Sequence, residues 1–306
     1  MARPAYPRTI LEFQERFATE DACRDYLFAS RWPEGFVCPG CGAGRAGGET
    51  HRHLWVCTAC GHQTSVTAGT VMHGTRTPLR AWFWAAYLVA THHPGISAKQ
   101  LQRQLGLSRY ETAWLILQKL RRAMIAPERT LLTHEVEIDE FYVGGREECL
   151  KGGRQRGKKA LCGVAIEVRG QGSGRLRLAV LPDATGPALL AFTQATAPGA
   201  IVHTDGLQSY KTLAKHDYDH RRRPQSSAVA GEQLLPRAHR AISNLKAWMD
   251  GTHRGVSDQH LPVYLDEYVF RHNRRATPMA AFQTLLGLGA LHQPSTYRQI
   301  SHPTAA

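Results

Sequence analysis

Six residues of this chain carry its clearest chemical signal, and four of them are cysteines. Cys38-Pro-Gly-Cys41 and Cys57-Thr-Ala-Cys60 are two C-x2-C pairs separated by fifteen residues, and Gly42 and Gly61 follow them. Each tight turn presents two thiolates to one ion, and two such turns close a tetrahedron around zinc. With four sulfur ligands no coordination position is left for water, so the zinc expected here is a single structural ion. His51, His53 and His62 lie nearby without being needed as ligands, and Cys23, Cys149 and Cys162 have no partner spacing and read as reduced packing residues.

The other two residues are acids. His134 to Gly145 reads as a short strand rich in β-branched and aromatic residues, stopped by two glycines, and it contains Glu135, Glu137, Asp139 and Glu140. An unpaired charge in a buried strand costs several kcal/mol, on the order estimated for desolvated ions. A hard divalent cation is the natural partner for carboxylates without nearby bases. Asp139 is therefore the first expected ligand of a nuclease-like centre. The second is Asp205, which ends the short strand Ala200-Ile-Val-His-Thr-Asp-Gly. Two carboxylates on adjacent strands suffice to share two ions, Mg2+ or Mn2+, for in-line phosphoryl transfer.

The elements around these acids set the fold class. Ala160–Val168 and Arg175–Leu181 read as strands antiparallel to the first, then come a helix at Pro187–Ala197, the Asp205 strand and a helix at Leu207–Lys215. This order of three strands, helix, strand and helix is that of an RNase H-like fold. The expected architecture is multidomain. A helical segment (1–30), a zinc ribbon (31–75) and a helix-turn-helix region (76–130) precede an α/β RNase H-like catalytic domain with a mixed sheet (131–275) and a C-terminal tail (276–306). In the helix-turn-helix, Ser97 caps a first helix, Gly106 makes the turn and Ser108 caps a second, whose Arg109, Tyr110 and Thr112 stand where a recognition helix meets base edges.

Charge points to a polyanionic partner. The chain has 38 basic and 25 acidic residues, a net charge of +13, and both its first 130 and its remaining residues are basic. Phosphate contacts can then supply most of the affinity. Lys151, Arg154, Arg156, Lys158 and Lys159 form a glycine-rich basic loop suited to a phosphate backbone, and Arg271, Arg274 and Arg275 give the last helix a basic end. No apolar run approaches the ~20 residues that span a bilayer, and the first residues lack a signal-peptide core. No membrane partner and a cytoplasmic, nucleoid-associated location are expected.

Taken together, Arg31-Trp-Pro-Glu-Gly-Phe-Val-Cys-Pro-Gly-Cys41, Val136-Glu-Ile-Asp-Glu140 with Gly144-Gly145, His203-Thr-Asp-Gly206, Ile242-Ser-Asn-Leu-Lys246, Gly251-Thr-His-Arg-Gly-Val256 and Tyr264 to Arg275 follow one pattern. The chain resembles the bacterial insertion-sequence transposases of family fifteen-ninety-five from about residue 10 to 275. That resemblance implies a DDE-type enzyme that cleaves element ends and joins the exposed 3′ hydroxyl to target DNA. Its partners would be double-stranded DNA, as terminal repeats and target, and further copies of the chain on that DNA. It places the catalytic acids on Asp139 and Asp205, and the third and fourth positions on Asn244 and Lys246. The local pattern leaves His239 and Glu267 as alternatives for the third. The competing reading is a catalytically inactive or domesticated DNA-binding regulator that keeps the transposase fold.

Overall fold

The protein is described here by a computed structural model, for residues 4–125, 129–144, 159–224 and 233–302. Two compact units result, one from Met1–Ala126 with Arg274–Ala306, the other from Pro127–Asn273.

In the first unit, Thr9 and Thr19 end the preceding chain by accepting backbone N–H groups of Glu12 and Ala22, which starts α1 (Ile10–Arg16) and α2 (Glu20–Arg31). The ribbon follows as a three-stranded antiparallel sheet, β1 (Ala46–Glu49), β2 (Trp55–Cys57) and β3 (Gln63–Thr64). α3 (Leu79–Thr91) buries nine of its residues. Its N-cap, Pro78, offers no side-chain oxygen, and the Glu20 carboxylate accepts the Leu79 and Arg80 N–H groups instead, at 2.8 and 3.0 Å. α4 (Ala98–Gln104) is capped by Ser97 and turns at Gly106 (φ +62°) into α5 (Tyr110–Ala123). Ser108, expected to cap α5, lies one residue too early: Arg109 is the N-cap and makes no side-chain capping bond.

The second unit is built on a five-stranded sheet ordered β6-β5-β4-β7-β8. β4 (Glu135–Val143), β5 (Ala160–Arg169) and β6 (Gly172–Val180) run antiparallel to one another, whereas β7 (Ile201–Thr204) and β8 (Asp219–Arg222) run parallel to β4. This mixed sheet is the RNase H-like arrangement, with β8 as a fifth strand beyond the four expected. α7 (Pro236–Trp248) and α8 (Leu261–Asn273) pack on one face, over Phe141, Cys162, Val164 and Ile166. α6 (Gly186–Thr193) and a 3-10 helix (Gln208–Lys215) cover the other, over Val136, Ile138, Leu161 and Ala165. Alternation along β4 thus sends Glu137, Asp139 and Phe141 toward α7, and Val136, Ile138 and Glu140 toward the 3-10 helix.

The final residues, expected as a C-terminal tail, are largely helical. α9 (Pro278–Leu291) and α10 (Tyr297–Ser301) are helices of the first unit, and Phe282 is fully buried there among Phe13, Phe17 and Phe83.

Candidate active site and zinc site

Sheet register brings the two aspartates together. β4 and β7 pair with Glu137 opposite His203, so two residues further on Asp139 stands beside Asp205, where β7 has just ended. A parallel pair of strands separated by about 4.8 Å places both acids at the same end of the sheet. Asp205 is oriented by its own turn, its Oδ1 accepting the Leu207 N–H at 2.8 Å. Asp139 Oδ1 accepts the Glu140 N–H at 2.9 Å.

Glu140 joins them. Ligand oxygens of Asp139, Glu140 and Asp205 all lie within 4.8 Å of one another. The Glu140 carboxylate arrives from the other side of the strand and is held by the Tyr210 hydroxyl, which donates to Oε2 at 2.8 Å. Burial, reinforced by the charges of Glu140, Asp139 and Asp205, pushes the Tyr210 phenol well above its ordinary 10. Sequence reading placed Glu140 in the acid cluster without a role, and its signal was adjacency to Asp139.

A second restraint fixes α7 against the acids. Leu235, at the N-cap, has no capping side chain, and Glu137 fills that place. Its Oε2 accepts the N–H groups of Arg237 and Ala238 at 2.8 and 2.9 Å, and its Oε1 pairs with the Arg237 guanidinium at 2.9 Å. A carboxylate at a helix N-terminus also meets the positive end of the helix dipole. The acid two residues before Asp139 thus anchors the helix, and the first turn beyond carries His239 to Asp139, with Nε2 3.3 Å from Oδ2.

Helix rotation separates the remaining candidates. Residues advance about 100° each, which sets Lys246 within about 20° of His239 and Asn244 about 140° away. Lys246 lies on the His239 flank, its Nζ 5.8 Å from the ring centre of Phe141. Asn244 is exposed on the opposite flank of the buried stripe Ala238, Ala241, Ile242, Leu245 and Trp248. Glu267 is fully buried in α8, 3.8 Å from Arg271. Of the third-position candidates, the structure brings His239 to Asp139.

The expected DNA contacts separate likewise. Arg109 and Tyr110 are exposed at the start of α5, and Thr112 is half-buried. Arg275 is exposed and Arg274 half-buried. Arg271 points inward instead, 5.7 Å from the ring centre of Trp248 and beside Glu267. Lys159 is half-buried against Gly144, while Lys151, Arg154, Arg156 and Lys158 lie outside the described residues.

The four ribbon sulfurs also meet a geometric demand. A tetrahedron with Zn–S bonds of about 2.3 Å has sulfur–sulfur edges of about 3.8 Å. The pairs Cys38–Cys60 and Cys41–Cys57 stand 3.7 Å apart, and all four sulfurs lie within 4.8 Å of one another. The Gly42 and Gly61 N–H groups close each turn onto the Cys38 and Cys57 carbonyls, with φ of +75° and +71° that glycine adopts at no steric cost.

Residues 131–273 match the ISXO2-like transposase domain, and residues 18–63 match the transposase zinc-ribbon domain. The chain belongs to insertion-sequence transposase family fifteen-ninety-five. Among its relatives is a Halobacterium salinarum protein described as an uncharacterized protein in transposable element ISH50, 29% identical over 278 residues, which take in 83% of this chain and 91% of the relative. The transposase domain spans the whole sheet and α7, and the zinc-ribbon match contains all four cysteines. No helix among the described residues is long and apolar enough to cross a membrane.

Proposed function

We propose that this family member is an active, metal-dependent polynucleotidyl transferase that cleaves the ends of its element and joins the resulting 3′ hydroxyl to target DNA. The observation that carries the reading is the convergence of Asp139, Glu140 and Asp205 at one end of the sheet. Three hard oxygen donors within reach of one another suit a divalent cation. Two such ions, Mg2+ or Mn2+, would supply activation of the attacking oxygen and stabilisation of the leaving oxygen. The chain's own part is to hold the acceptors rigidly. Tyr210 orients Glu140, the Leu207 N–H orients Asp205, and Glu137 fixes the helix that carries His239 to Asp139. Lys246, on the same flank, is assigned to a substrate phosphate. Asn244 is left as a minor, water-orienting group at most.

DNA delivery falls to the first unit and the basic segments. The α4–α5 pair is read as a helix-turn-helix that uses Arg109, Tyr110 and Thr112, braced by a ribbon holding one structural zinc. Lys151, Arg154, Arg156, Lys158, Lys159, Arg274 and Arg275 are assigned to phosphates, and two or more copies are required to hold two element ends. A neutral residue at the third position, Asn244, would favour the inactive-regulator reading, and a site built on Glu140 and His239 weakens that ground.

Strand cleavage of a labelled duplex carrying the DNA that flanks the gene tests the reading. Mg2+- or Mn2+-dependent nicking is expected from the wild type and not from Asp139→Asn or Asp205→Asn. Tight binding of that duplex with no cleavage under either metal would favour the regulator.

A further inference from the structure

β8 reads Asp219-His220-Arg221-Arg222, and Arg223 follows directly. Sequence patterning gives it no role: it has no apolar alternation, and a run of arginines is ordinarily a solvated face. Its register gives it one. β8 pairs in parallel with β7, the strand that leads to Asp205, and the last pair is Thr204 with Arg222. The Arg223 N–H continues the ladder to the Thr204 carbonyl at 2.9 Å, so Arg223 stands beside Asp205.

Alternation then divides the strand's work. His220 meets the Thr204 hydroxyl at 2.9 Å, which puts His220 and Arg222 on the Thr204 side. Arg222 donates to the Gly206 carbonyl at 2.7 Å, and Pro224 lies so near Gly206 that a Cβ there would fall 2.9 Å from it. These two brace the turn that presents Asp205. Arg221 and Arg223 emerge on the other side, with His203 and Asp205, and hence with Asp139 and His239. Both are exposed. Arg221 is paired with Asp219 at 2.8 Å, but both side chains are 51% exposed, and such a pair is weak enough to exchange for a better anion.

A phosphodiester approaching three clustered carboxylates meets repulsion from every side that lacks a cation. Lys246 stands on the α7 flank, and Arg221 and Arg223 stand on the β8 flank. Two residues on one strand are about 6.6 Å apart along it, close to the spacing of successive phosphates in a nucleic-acid strand. Guanidinium is also the side chain whose planar fork best matches phosphate oxygens. We propose that Arg221 and Arg223 form a phosphate track on β8 that seats the backbone of the reacting DNA strand beside Asp205. The alternative, charges that merely blunt a sheet edge, needs no particular side for them and no coupling to DNA.

The inference rests on the DNA-joining reading, and one series separates the two. Equilibrium binding of the full chain to the flanking-DNA duplex is measured from about 50 to 200 mM salt. The wild type, Arg221→Gln/Arg223→Gln, Arg221→Lys/Arg223→Lys and Arg223→Gln alone are compared, each with its thermal midpoint. Each lost phosphate contact lowers the slope of log affinity against log salt by about 0.9. The double glutamine variant should therefore lose about 1.8 from the slope, the single variant about half of that, and the lysine variant little. A folded double glutamine variant with the wild-type slope overturns the track and leaves the transposase reading intact. A wild type with no salt-dependent binding at all overturns both.

Discussion

At the residue scale, legibility followed locality. The zinc ligands were readable because all four declare themselves by spacing, and their sulfur separations then fit one ion. The convergence of Asp139 and Asp205 was readable because strand order alone predicts that they end side by side. Which α7 side chain faces Asp139 was not readable, since it depends on how α7 is rotated about its axis. That rotation is set by Glu137, which the sequence places in the acid cluster without a role and which serves as a helix cap. A comparison of two single substitutions follows. His239→Ala should reduce metal-dependent cleavage by about 10–100-fold, the usual cost of removing a group that touches or orients a metal ligand. Asn244→Ala, exposed and about 140° away around the helix, should stay near wild type. Rates measured under single-turnover conditions decide it, and the reverse ranking would return the third position to Asn244.

At the element scale, the apolar strands were legible and the polar one was not. β5 and β6 announce themselves by apolar runs, whereas β8 exists because β7 offers it a parallel partner. Another polar contact ties the β5–β6 hairpin to the chain entering β4. The Glu167 carboxylate is almost fully buried and accepts from Arg175 Nε at 2.9 Å, from the Arg175 N–H at 3.0 Å and from the Thr133 N–H at 3.1 Å. Burial by itself would raise its pKa, but the bonds from Arg175 and Thr133 outweigh it and hold the group down at about 2, against an ordinary 4.5. The folded state therefore binds this proton less readily than the unfolded state does. The contribution is fully present above pH 4.5, declines as the pH falls through the interval to about 2, and is gone below it. Glu167→Gln should cost about 2 kcal/mol near neutrality, in the range for hydrogen bonds to a charged group. The gap in denaturation midpoint between variant and wild type should narrow steadily from pH 5 to pH 2. The difference between the two proteins is the quantity to follow, because thiol protonation releases zinc over the acid range in both. A gap that does not change with pH would mean that Glu167 acts only through its shape.

At the scale of the whole molecule, the chain leaves its first unit near residue 126, builds the transposase domain and returns at Arg274. This return is what sequence reading missed. Pro278–Leu291 has the apolar residues of a core helix, but its glycines at 287 and 289 weaken the helical signal, and its partners Phe13, Phe17, Val71 and Phe83 lie far back in the first third of the sequence. Gly289 has a packing reason that only the fold supplies: its carbonyl accepts the Val71 N–H, and a Cβ would fall 3.1 Å from the Val71 side chain. Phe282 is the centre of the arrangement, with ring centroids 5.4, 5.8 and 6.1 Å from Phe13, Phe17 and Phe83. Those rings come from α1, the residue that follows it and α3, so one side chain from the C-terminal segment joins elements from both ends of the sequence. Truncating it opens a cavity that aromatic neighbours fill poorly, and Phe282→Ala should cost about 3–5 kcal/mol. Urea unfolding followed by tryptophan fluorescence measures the loss, since Trp82 and Trp84 lie on α3. A loss below about 0.5 kcal/mol, the range of surface substitutions, would show that the returning helix does not complete the first unit in solution. Removal of residues 274–306 should then leave the zinc ribbon's stability untouched, whereas a true core role requires that deletion to destabilise the unit at least as much as Phe282→Ala does.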